Sequence, residues 1–142
     1  MSKKILSVLA GIIGGGMIIL LVEKLGHTVY PPPPDFDYKD VEALRLLIEN
    51  APLGALLFVV LAWALGSLAG GLIAALIAVE DKTKQALFVG GILMVLGVIN
   101  MMSIPHPVWM QIAGLTVYLP FAYWGGTLGS KMNKRKNTET SQ

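Results

Sequence analysis

Residues 53–79 read LGALLFVVLAWALGSLAGGLIAALIAV, an apolar run without one charged side chain. A helix rises 1.5 Å per residue and the hydrocarbon core of a bilayer is roughly 30 Å thick, so about 20 apolar residues span it. This run is long enough, and so are those over 5–22, 86–104 and 108–128. The expected fold is all-α: an integral membrane four-helix bundle, one membrane domain over 1–142, with spans at about 5–23, 53–79, 86–104 and 108–129.

Composition agrees. Hydrophobic residues make up 54% and charged residues 14%, with a mean hydropathy of +0.66, whereas a soluble domain devotes about a quarter of its residues to charge. The absence of cysteine excludes disulfides, thiolate metal sites, haem thioether links and cysteine nucleophiles. A formal charge of +2 gives no argument for nucleic acid, and the lipid bilayer is the expected partner.

Where the charges fall matters more than their sum. Lys3, Lys4, Lys82, Lys84, Lys131, Lys134, Arg135 and Lys136 share one side if all four runs span, leaving Lys24, Lys39 and Arg45 on the other. The positive-inside rule then makes both termini cytoplasmic in a multi-pass protein of the inner (plasma) membrane, with a basic tail over 131–142. A basic start before an apolar stretch also fits a secretory signal peptide. The stretch ends in Val22, Glu23, Lys24 and Leu25 with no small-x-small cleavage site, so it is read as a retained span.

The outer loop, 24–52, carries Pro31 to Pro34, which favour a stiff polyproline II spacer. From 38 to 50 the pattern turns amphipathic: Val41, Leu44, Leu47 and Ile48 share one helical face, and Lys39, Glu42, Arg45 and Glu49 the other. A short outer helix capped by Asp37 or Asp40 is expected, as a lid on the bundle or as a docking face.

Glycine supplies the packing signal. Gly66 and Gly70, like Gly125 and Gly129, have the G-x-x-x-G spacing that lets helix backbones approach closely in lipid. The spacing does not encode whether the partner helix lies in the same chain, in a second copy of a homodimer or in a larger membrane complex; packing within the chain is the expectation for most of these glycines. Gly15-Gly16 and Gly90-Gly91 are similarly placed in the first and third runs, a faint sign of two repeated hairpins.

Polar groups inside apolar spans cost free energy unless paired, so they point to sites or to interhelical bonds. Asn100 is read first as a bond across helices and second as a ligand-binding residue; Gln111, Thr116 and Tyr118 punctuate the fourth run, which Pro120 is expected to bend. Glu23 and His27 are four apart on one helical face, and His106 occupies the turn Ile104-Pro105-His106-Pro107 on the same side. If they converge, two imidazoles and a carboxylate suffice for a divalent metal such as zinc, or for a proton relay. The plainer reading is a structural hydrogen bond at each histidine. Trp109, Tyr30, Tyr123 and Trp124 fit interfacial belts, and Trp63 a place inside the bundle.

In length and span count the chain resembles the small multidrug resistance transporters, four-helix proteins that work as dimers. That family is similar within itself in a glutamate placed well inside the first helix. Here Ser7 is the only polar residue of the first span before Glu23, which stands at its end, and the long prolyl loop is a further departure. The resemblance stops at architecture. No catalytic or cofactor motif stands out, so the expected function is that of a non-enzymatic membrane component or accessory subunit. The alternatives are a dimeric small-solute or ion transporter, and a metal-binding protein or enzyme using Glu23, His27 and His106.

Overall fold

The structure, a computed structural model, describes residues 2–139. Five helices account for it: α1 (Ser2–Val29), α2 (Val41–Glu49), α3 (Leu53–Ile77), α4 (Lys82–Ser103) and α5 (Val108–Glu139), with no strand among the described residues. The end of the basic tail, 140–142, lies outside them.

Three helices are long and apolar enough to cross a membrane. The most apolar stretches of α1, α3 and α4 have mean hydropathies of 2.6, 2.3 and 2.1. The fifth helix is longer, but Gln111, Thr116, Tyr118, Pro120 and Trp124 dilute its apolar character, and it does not join them on composition. All-helical secondary structure and three apolar helices point to a multi-pass membrane protein.

Helix ends follow local chemistry. The first helix continues past the expected limit at 23 to Val29, taking Glu23 and His27 into its last turns. Tyr30 N–H still bonds the Gly26 carbonyl at 2.8 Å; Pro31 has no N–H to offer and disfavours helical backbone before it, so the helix stops there. The second helix is shorter than the expected 38–50. Asp40 is its cap, accepting from the N–H groups of Glu42 and Ala43 at 3.0 and 3.1 Å, while Asp37 accepts from Lys39 N–H in the turn before it. Arg45 bridges Glu42 at 2.7 Å and Glu49 at 3.0 Å along the exposed side, which holds the Glu42 carboxyl below its usual range.

The four long helices run alternately up and down. Gly11 lies against Gly70 and Gly15 against Gly66, each Cβ position within 2.7–2.8 Å of the facing carbonyl oxygen, which makes α1 and α3 antiparallel at close range. Reciprocal contact of this kind is what the spacing of Gly66 and Gly70 predicts; its partner on α1, Gly11 with Gly15, has the same four-residue step. Ser7 extends that stripe by one turn and is fully buried, its hydroxyl donating to the Lys4 carbonyl at 2.8 Å. Gly125 and Gly129 press on Leu68 and Leu72, setting α5 parallel to α3, and Gly90 and Gly126 meet Ala122 and Ala86 between α4 and α5. In both glycine pairs the first member packs while the second, Gly16 or Gly91, has nothing within 4 Å.

A core built this way consists largely of small residues. Ala62, Ala74, Ala75, Ala86 and Ala122 are buried between the glycine crossings, and the larger groups Trp63, Val89, Leu93, Met101, Met110 and Tyr118 fill the remainder. Many of the Leu, Ile and Val side chains, Leu9, Ile13, Leu20, Leu61, Val95 and Ile112 among them, are exposed instead, as lipid-facing surfaces require when lipid is as apolar as the core.

Candidate functional site

Both chain reversals at 30–52 and at 104–107 lie at one end of the bundle, here termed the proline end. The four prolines lift the chain off α1, and α2 then fails to settle on the bundle: none of its residues is buried. A cavity of 990 Å³ remains beneath it. One wall is the end of α1 from Glu23 to Tyr30, a second is the proline segment, the roof is α2 with Ala43, Leu46, Leu47 and Ile48, and the floor is Phe58 and Val59 of α3.

Aromatic side chains organise this cavity. Tyr30 meets Phe58 edge-on at 6.1 Å, Phe36 meets Tyr38 edge-on at 5.0 Å, and His27 lies 6.5 Å from the Tyr38 ring. Gly26 lets Phe58 approach α1, and Gly54 accommodates the Tyr30 hydroxyl. Glu23 and His27 line the same cavity, as their four-residue spacing implies. No hydrogen bond or ion pair engages the Glu23 carboxylate among the described residues.

His106 does not line this cavity. It lies against the Trp63 ring at 5.9 Å, and Trp63 in turn stacks on Tyr118 at 6.1 Å and 22°. Its Nδ1 lies 2.6 Å from the Ile104 carbonyl oxygen, and the Gln111 amide donates to the His106 carbonyl at 2.9 Å, which ties down the turn. Burial against Trp63 holds the imidazole below the ordinary histidine range, opposed by its bond to Ile104. Among the described residues no group of three or more His, Asp or Glu side chains is placed to hold a metal ion. The expected grouping therefore divides: Glu23 and His27 face the cavity, and His106 serves the Trp63 cluster.

Asn100 departs from its expected role as a bond across helices. It is exposed, flanked by exposed Ile99 and Met102, and its side chain engages none of the described residues. Three residues from the end of α4 is about 5 Å along the axis, a depth at which headgroups and water reach an amide and no protein partner is required. Of the two fully buried serines, Ser7 and Ser67, only Ser67 has a hydroxyl with no hydrogen-bond partner among the described residues.

Sequence reading missed three groups here. Phe36, Tyr38 and Phe58 were unremarkable aromatics until the fold set them around one space. The Gly11–Gly15 step was legible, and the crossing at Gly66 and Gly70 shows what it serves. Compared with models of protein families, with curated proteins and with solved structures, the chain matches none.

Proposed function

We propose that this chain is a non-enzymatic, four-span component of the inner (plasma) membrane, with both termini cytoplasmic, acting as an accessory subunit through its outer, proline end. The observation that carries this reading is the contrast between a closed core and an open end. Ser67, about half-way along α3, is fully buried among small side chains, whereas the sizeable cavity lies at the proline end. A transporter needs a polar path to the midplane; an accessory subunit needs a filled bundle and an exposed place to bind.

Several features support α5 as the fourth span. At about 48 Å it is long enough, and it follows α3 from the Trp63–Tyr118 stack to the bond from Asn133 Nδ2 to the Leu76 carbonyl. Three of its aliphatic hydroxyls are satisfied at home: Thr116 donates to Ile112 and Ala113, Thr127 to Trp124 and Ser130 to Gly126, so these polar groups enter lipid already bonded. Lys4 and Glu80 pair at 3.5 Å at the opposite end, where most lysines lie. Asp35→Cys should label from outside the cell with a membrane-impermeant thiol reagent, and Lys84→Cys only after the membrane is opened; the reverse pattern would invert the topology.

Because the chain has no cysteine, the core can be probed cleanly. Ser67→Cys, a near-isosteric change, should resist water-soluble maleimides in intact membranes and react after denaturation. Rapid labelling in the native state would reveal an aqueous pathway and favour the dimeric transporter instead.

A further inference from the structure

We infer that the proline end holds an uncharged single-chain lipid, with its head beneath α2 and its chain in a groove between α3 and α5. The inference rests on the reading of this end as the place that binds and of α5 as a span, and it names the ligand class.

A second space carries the argument. Beside the cavity under α2 runs an apolar groove of 560 Å³, walled by Leu57, Leu61 and Ala64 of α3 and by Val117 and Phe121 of α5. Tyr30 and Phe58, in edge-on contact, border both spaces, so groove and cavity adjoin at these two rings. Leu57 and Leu61 are 49% and 46% exposed, which turns the groove toward the bilayer. From Gly54 to Ala64 it is about 15 Å long, half the roughly 30 Å thickness of the hydrocarbon core and so comparable to the chain of a lipid in one leaflet. Bulk lipid fills any groove on a membrane helix. This one leads under a roof, and a lipid that enters both spaces is held at its head as well as along its chain.

The lining decides the head. No lysine or arginine borders either space, and phosphate recognition depends on those side chains. The nearby Arg45 is already held between Glu42 and Glu49. Charge on the head would therefore enter an apolar enclosure without a matching partner, at a cost that an uncharged head avoids. Neutral hydrogen-bonding groups are present: the Tyr30 hydroxyl borders the cavity, and Asn50, whose amide donates to the Leu46 carbonyl at 2.8 Å, keeps its own carbonyl oxygen to accept. A hydroxyl or ester head on one acyl or prenyl chain fits this set. Glu23 borders the cavity but takes no part in the recognition.

The test uses the full chain in dodecyl maltoside and a palmitoyl monoglyceride carrying a diazirine in its chain, with lysophosphatidic acid bearing the same chain as the anionic comparison. Irradiation should label the protein saturably, at one lipid per chain, on peptides containing Leu57, Leu61 or Phe121. Leu47→Gln in the roof and Leu61→Trp on the groove wall should each weaken labelling several-fold with melting unchanged, since no residue of α2 is buried and Leu61 is itself exposed. Glu23→Gln should label as the native protein does, and the phosphate analogue should label several-fold less. Labelling that does not saturate, or that is equal in native protein and either groove or roof variant, would reduce the lipid to passing contact and overturn the proposal. Loss of labelling in Glu23→Gln, or equal labelling by the phosphate analogue, would overturn it as well, because charge would then decide binding. Saturable labelling at the groove alongside an inverted pattern for Asp35→Cys and Lys84→Cys would remove the topology and leave this site standing; the expected topology without saturable labelling would remove the site alone.

Discussion

Gly70→Leu should abolish folded protein in detergent, whereas Gly16→Leu should leave yield and melting unchanged. At Gly70 a Cβ would lie 2.7 Å from the Gly11 carbonyl oxygen and 3.1 Å from a Val89 methyl. The first is backbone and has no rotamer in which to retreat. A leucine there must therefore push α1 away from α3, and the crossing at Gly11, Gly15, Gly66 and Gly70 opens as a unit. Overpacking in a filled core costs about 1–3 kcal/mol and occasionally more, and a loss at or above the top of that range is expected because backbone, not side chain, has to move. Gly16 has nothing within 4 Å, and leucine is the better helix former there. Size-exclusion yield and thermal unfolding by circular dichroism decide the matter, and matched behaviour of the two variants would mean that the glycine crossing contributes nothing to stability.

Trp63→Ala is expected to cost about 3 kcal/mol, the lower end of the range for large aromatic truncations. Trp63 is only 4% exposed; it stacks on Tyr118 and flanks His106, and Gly114 is flat against its ring. In lipid the transfer part of the usual cost shrinks, because the unfolded helices rest in an equally apolar medium, but the void and its lost dispersion contacts remain. Trp63→Phe should recover a good part of the loss by refilling the space without the second ring. Thermal unfolding of the three proteins side by side is the measurement, and an alanine variant as stable as the parent would show the Trp63 cluster to be passive filling.

Legibility in the sequence was uneven for a physical reason. The amphipathic α2 announces its own faces, since Val41, Leu44, Leu47 and Ile48 recur at helical spacing against charged neighbours, and Asp40 is a recognisable cap. By contrast α1 and α3 are apolar on every side, so nothing in their composition says which face turns inward. Glycine spacing narrows the choice to a stripe; it does not name the partner. Glu23 and His27 were readable as a pair because one helix carries both. His106 arrives on a different element, and whether it would join them depended on where the 104–107 turn lands.

What the sequence by itself determined was local: the helical character of every long run, the proline break after α1, and the small-residue stripes; of the four runs read as spans, three are apolar enough for a membrane on composition. Each follows from the transfer free energy or backbone preference of residues near one another in the chain. The tertiary structure decided the rest. It paired Gly11 and Gly15 with Gly66 and Gly70, turned Asn100 outward, gave His106 to Trp63, and held α2 clear of the bundle so that four scattered aromatics and Glu23 came to surround one cavity. These outcomes depend on how uniformly apolar helices rotate and cross, and that rotation is settled by close packing between residues far apart in sequence, a quantity no single stretch contains.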